Sequence, residues 1–202
     1  MSFIADYLNE AISILSRIDR SIIEKIIMLM LKIREEKGRL FFLGVGGSAG
    51  NCSHAVNDCR KIAGIESYTP IDNVSELTAR TNDEGWHTTF IEWLKESHLN
   101  EKDGIFVFSV GGGDKERNIS ANIVYALEYV KSKNAKIIGV VGRDGGFTAK
   151  VADACLIIST VNPNTVTPHT ESFQGIIWHL IVSDPRIMQR SNKWESLTKE
   201  SL

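Results

Sequence analysis

Cysteine is scarce in this 202-residue chain, and the three present, Cys52, Cys59 and Cys155, are odd in number and never in CxxC spacing. A disulfide framework is therefore excluded, and with no secretory leader ahead of them the expectation is a reducing, cytoplasmic compartment. Long hydrophobic runs are missing as well. The longest, Ile22 to Ile33, is interrupted by Glu24, Lys25 and Lys32 and is too short to span a bilayer. An excess of one charge is also lacking: 23 basic and 25 acidic residues give a net charge of -2 with no concentrated positive stripe, which excludes nucleic acid as a ligand. No internal repeat or low-complexity linker marks a boundary. The chain reads as one domain, 1–202, whose 43% hydrophobic content suffices for one good core.

What is present is an alternation of strand-like and helix-like segments. Apolar runs of strand length, rich in Val, Ile and Phe without strict alternation, recur at Arg39–Val45, Gly104–Val110, Ala135–Gly142 and Asp153–Thr160. Such strands are buried on both faces. Between them lie helical patterns at Ser48–Ala63, around Glu84–Ser97 and at Ile119–Lys133. This order predicts an α/β fold, a three-layer α-β-α sandwich around a central parallel sheet. A last helix is expected to be capped by Thr167, with Pro168 at its first position, and to stop at Asp184-Pro185. The polar tail, 186–202, is expected to be mobile or docked on a neighbour. In the N-terminal helices, 1–37, the apolar residues of Ile22–Ile33 wrap most of the circumference, which predicts burial on two sides, against the sheet and against a second subunit.

Two glycine-rich loops follow strands: GVGGSAG from Gly44 and SVGGGDKERN from Ser109. In an open parallel sheet, ligands bind beyond the carboxyl ends of the strands, so both loops could face one crevice. Gly44, Gly46 and Ala49 match a dinucleotide spacing, but the segment KIAGIESYTPID is a poor second strand and brings no acidic residue to hold a ribose. No nucleotide is expected. More generally, Gly46 and Gly47 let the backbone approach an anion, Ser48 offers a hydroxyl, and the helix behind directs unpaired N–H groups at the crevice. A tight turn without a ligand is the competing reading. His54 and Asp58 stand four apart and share a helical face; by themselves they read first as a surface or intrasubunit ion pair. Trp86, Trp93 and Trp178 are expected to be core or interface anchors, and His169 either touches a ligand or serves at the start of the last helix.

The stretch GVGGSAGNCSHAVND resembles the GNGGS-x5-H-x3-E loop and helix of the sugar isomerase (SIS) domain family, specifically the phosphoheptose isomerases. The likeness extends to Asn82-Asp83, to FVFSV, to the turn GRDGG at Gly142–Gly146, and to Glu171 with His179. It implies an enzyme that interconverts sedoheptulose 7-phosphate and D-glycero-D-manno-heptose 7-phosphate, assembled as a homotetramer with active sites between subunits. It further implies Asp58 as the carbon base and His179 as the oxygen-side proton carrier. The substrate contacts would be Gly46, Gly47, Ser48, Asn82, Asp83, Ser109, Gly111, Gly112, Gly113, Ser120 and Glu171. His54, Asp58, Glu171 and His179 match the positions that bind zinc in some relatives. Residues 171 and 179 lie about 12 Å apart along a helix axis, so both would have to lean inward to share an ion. A non-catalytic SIS-domain protein that binds a sugar phosphate or a protein partner is the other branch of the same resemblance.

Departures accompany the likeness. Val45 replaces the loop asparagine, Asp58 a glutamate and Glu171 a glutamine. The hydroxyl-rich phosphate loop becomes the longer SVGGGDKERNIS, where three glycines could form an anion nest with Lys115 or Arg117 adding charge and Ser120 a hydroxyl.

Overall fold

In the computed structural model, which describes residues 2–193, the apolar runs form strands β1 (Leu40–Leu43), β3 (Gly104–Ser109), β4 (Lys136–Val141) and β5 (Ala154–Ile157). A two-residue strand, β2 (Ser67–Tyr68), joins the edge beside β1, so the poor strand-former contributes one short rung. All pairings are parallel and the order is β2-β1-β3-β4-β5. The absence of alternation in the strand sequences has its physical cause in burial on both faces. Leu40, Phe42, Phe106, Phe108, Ile138 and Val140 point into one core, and Phe41, Leu43, Ile105, Val107 and Ile137 into the other.

Helices α1 (Phe3–Ser16), α2 (Arg20–Glu35), α3 (Gly47–Lys61) and α8 (Val166–Ser183) supply the first layer; Ile26, Met30, Cys59 and Ile177 are among their core residues. The opposite layer is built by α5 (Thr89–Glu96) and α6 (Ala121–Ser132), through Phe90, Leu94, Ile123 and Leu127. Between β2 and α5 lie α4 (Val74–Asp83) and a 3-10 turn (Trp86–Thr88), and α7 (Gly146–Val151) follows the GRDGG turn. The sandwich is the three-layered one expected.

Two expectations about the helices are corrected, and a third finding concerns where apolar surface is left exposed. The cap of α8 is Thr165 rather than Thr167, so Pro168 falls at the third helical position. It is tolerated there because first-turn N–H groups have no intrahelical acceptor to lose. The start of the tail is docked on its own domain: Arg34 donates to the carbonyls of Ile187 (2.6 Å) and Arg186 (2.9 Å), and the Gln189 and Arg190 N–H groups both reach the carbonyl of Ile62. The rest of the tail, 194–202, lies outside the described residues. Finally, α2 buries Ile23, Ile26, Ile27, Met30 and Ile33 on its inner side, but the larger unpartnered apolar surface is on α1, where Phe3, Ile4, Leu8, Ile12 and Leu15 are 58–75% exposed.

Besides the buried Ile14, polar contacts tie α1 to the domain. Glu10 accepts from the Asn162 amide at 2.6 Å, the Thr165 hydroxyl at 2.7 Å and His169 Nε2 at 2.9 Å, while Tyr7 stacks on the buried His169 ring at 4.2 Å. His169 is thus an anchor between helices and not a ligand group. The hydrogen bonds from Asn162, Thr165 and His169 hold the Glu10 carboxyl below its ordinary value of 4.5. A depressed carboxyl stabilises the docked state above its unfolded value, and that stabilisation is lost as pH falls through the depressed one. The protection factors of the α1 amides, taken relative to intrinsic exchange at each pH, are therefore expected to fall on acidification below about pH 4.5, and Glu10→Gln should lower them already at neutral pH.

Candidate active site

The strand order places the site. From β1 the chain goes outward to β2, then returns to the other side of β1 with β3, so the switch point of the sheet lies between β1 and β3. Ligand crevices form outside the carboxyl ends of the strands at such points. Both glycine loops leave from there, one after Leu43 and one from Ser109.

In the first loop Gly46 is the cap of α3 at φ +64, a left-handed conformation that favours glycine, and no side chain caps the helix. Ser48 is buried, and its hydroxyl has no partner. The Glu171 carboxylate lies against Gly47, where an added Cβ would collide with it. The anion-accepting end of α3 thus already faces a carboxylate of the chain itself.

The second loop differs from the expected nest. The carbonyls of Gly112 and Gly113 turn toward the start of α7, accepting from the N–H groups of Thr148 (2.9 Å) and Phe147 (2.8 Å), and the Gly112 N–H is taken up by Ser109 Oγ at 3.0 Å. Asp114 and Ile119 pair as a small antiparallel bridge, Lys115 binds Glu128 on α6 at 2.5 Å, and Arg117 lies 3.7 Å from Asp114. Both basic residues are engaged within the fold, because a hairpin between residues 114 and 119 carries them away from the triple glycine. Gly111 adjoins that clamped turn. Ser120 is the left-handed cap of α6 without a side-chain bond, and the buried amide nitrogen of Asn122, a residue the sequence reading did not single out, has no partner. Asn82 and Asp83, the last residues of α4, are exposed and bond to each other at 2.7 Å.

The reactive groups meet where α3 and α8 run side by side. Asp58 is only 6% exposed, and its Oδ2 lies 3.5 Å from His54 Nε2, 3.4 Å from His179 Nδ1 and 3.1 Å from Trp178 Nε1. Its Oδ1 accepts from the Asn57 amide at 3.1 Å. The two imidazole side chains are about half exposed, 55% for His54 and 52% for His179, so the group is closed toward the core and open toward solvent. Trp178 and Asn57 are partners that sequence reasoning missed. Neither carries a sequence signal, since a tryptophan before a histidine reads as packing.

Candidate ligand atoms of His54, Asp58 and His179 all lie within 4.8 Å of one another. Two nitrogens and one carboxylate oxygen suit zinc, and bonds of roughly 2.0–2.2 Å leave tetrahedral ligands about 3.4 Å apart, close to the two His–Asp separations. The residues therefore fit a metal ion with a fourth position open. Glu171, the fourth of the expected set, lies apart from these three: its carboxylate sits beside Gly47, two turns back along α8. Cys52 and Cys59 are packed in the core, where burial raises both thiols, Cys59 to about 12.

The fold and the site define a doubly wound α/β domain with a carboxylate–imidazole centre between α3 and α8. The chain belongs to the SIS domain family, whose family model matches residues 6–142. It is 30% identical over 150 residues to the lincomycin biosynthesis protein LmbN of Streptomyces lincolnensis, covering 71% of this chain and 54% of that protein, so it spans about half the length of this relative. A phosphoheptose isomerase of Rhodospirillum rubrum is 29% identical over 149 residues, covering 71% of this chain and 73% of the relative. In structure, a phosphoheptose isomerase from Francisella tularensis superposes with a TM-score of 0.78 at 20% identity, over 90% of this chain and 97% of the other, a likeness of fold.

Proposed function

We propose that the protein is a phosphosugar aldose–ketose isomerase that converts sedoheptulose 7-phosphate to D-glycero-D-manno-heptose 7-phosphate, a precursor for surface polysaccharide. The observation that carries this reading is the convergence of a buried carboxylate and two solvent-facing imidazoles between α3 and α8. Isomerisation needs a base at carbon and a proton carrier at oxygen. Asp58 removes a proton from C1; the electron pair forms the C1=C2 bond of an enediol, and His179 gives O2 the N–H proton of the ring nitrogen that does not face Asp58. Asp58 then returns its proton to C2 while the C1 hydroxyl gives its own to His179, leaving the aldehyde. His54, Asp58 and His179 would hold a zinc ion, which when bound supplies electrophilic stabilisation of the oxygen charge. The uncapped start of α3 with Gly46, Gly47 and Ser48, and the loop from Ser109 through Gly111 to Ser120, bind the rest of the substrate. Asn82, Asp83 and Glu171 contribute contacts to its hydroxyls.

We infer one SIS domain over 1–202, with residues 1–37 in a subunit interface. The exposed apolar face of α1 supports burial against another copy, and a homotetramer in the cytoplasm is the assembly this reading implies. No described helix is long and apolar enough to cross a membrane.

The test is turnover of sedoheptulose 7-phosphate, followed by detection of the aldose and repeated after chelation and zinc restoration. Turnover by the untreated protein that chelation suppresses is the expected result. A second reading, a binding protein for a sugar phosphate, is favoured by the carboxylate against Gly47 and by the pairing of Lys115 with Glu128. Saturable binding without turnover under zinc-replete conditions would select it.

A further inference from the structure

We propose that Trp178 is a positioning residue whose indole N–H holds the Asp58 carboxylate at the point where His54 and His179 converge. Trp178 is 4% exposed and packs on Phe108 at 5.6 Å, so its ring has little freedom. From that fixed frame its Nε1 donates to Asp58 Oδ2 at 3.1 Å, the same oxygen that faces both imidazoles. The ring also touches the imidazoles themselves, with centroids 5.2 Å from His54 and 4.8 Å from His179. One rigid side chain therefore contacts every member of the group.

The chemistry explains why such a residue is needed. Aspartate has a short side chain and cannot swing far to meet its partners, so its orientation decides whether one oxygen is shared by both imidazoles. The Asn57 amide reaches only Oδ1. Without the indole, Oδ2 would be free to rotate toward solvent through the gap between the exposed histidines. A buried indole N–H also requires an acceptor, so the bond is held from both ends. Hydrogen bonds to a ligating carboxylate fix its direction, and losing them typically lowers metal affinity or activity 10–100-fold.

The turnover arm of the test rests on the isomerase reading; the zinc arm does not. Trp178→Phe removes the N–H with part of the ring, and replacement by benzothienylalanine removes only the N–H while keeping the bicyclic shape. Both are measured for kcat and KM on sedoheptulose 7-phosphate and for zinc chloride affinity by calorimetry. The expected result for the benzothienyl protein is a kcat about tenfold lower with KM within about twofold, and zinc affinity about 10–100-fold weaker. The indole proton resonance assigned to Trp178 should also move when Asp58→Asn is introduced. If the parent turns over nothing, the isomerase reading fails and the zinc arm alone decides the proposal; if the parent binds no zinc, the turnover arm decides it. A benzothienyl protein within twofold of the parent in whichever arms the parent shows overturns it, as does a parent inactive in both.

Discussion

Asp58→Asn is expected to lower kcat on sedoheptulose 7-phosphate by about 10²–10⁴-fold, the usual contribution of a positioned general base, with KM changed little. The substitution is nearly isosteric, and the amide oxygen can still accept the Trp178 N–H, so the helix pair should keep its packing. What disappears is the negative charge and the lone pair that removes the C1 proton. The loss should be read in kcat, because a ground-state contact would appear in KM instead. Thermal unfolding of the variant is the control. A midpoint within a few degrees of the parent together with a loss of kcat that persists at saturating zinc assigns the effect to chemistry, whereas an active variant removes Asp58 from the mechanism.

Zinc affinity is expected to fall more than about 100-fold in His54→Ala and again in His179→Ala, since each removes a ligand from a site that has three protein ligands and one open position. Glu171→Gln is expected to leave the affinity within about threefold of the parent, well short of the 10–100-fold typical of lost supporting contacts. The distinction rests on geometry: the candidate ligand atoms of His54, Asp58 and His179 lie within 4.8 Å of one another, while the Glu171 carboxylate lies against Gly47. Calorimetric titration with zinc chloride checks all three. A large loss in Glu171→Gln would mean that α8 bends or that α3 shifts when the ion binds.

The contrast between Glu171 and His179 shows where sequence reasoning stops. Both residues lie on α8 and both match positions of a resemblance, so nothing local separates them. The rise of a helix does: eight residues carry them about 12 Å apart, and the parallel packing of α3 against α8 sets Glu171 beside Gly47 and His179 beside Asp58. The second glycine loop makes the same point. Its composition reads as an anion nest, yet α7, a helix of six residues that its sequence does not announce, draws the carbonyls of Gly112 and Gly113 to its own start. Edge strand β2 is likewise faint, being two residues long and partly polar.

The sequence by itself determined the parallel α/β class, because doubly buried strands must be apolar throughout, and it determined the pairing of His54 with Asp58, because residues four apart on a helix share a face. Only the tertiary structure decided that His179 and Trp178 close on that carboxylate, that Glu171 does not, and that Lys115 turns away to Glu128. All but the last depend on contacts between segments 120 to 124 residues apart. Such contacts are set by how the helices pack on the sheet, and spacing along the chain carries no record of that packing.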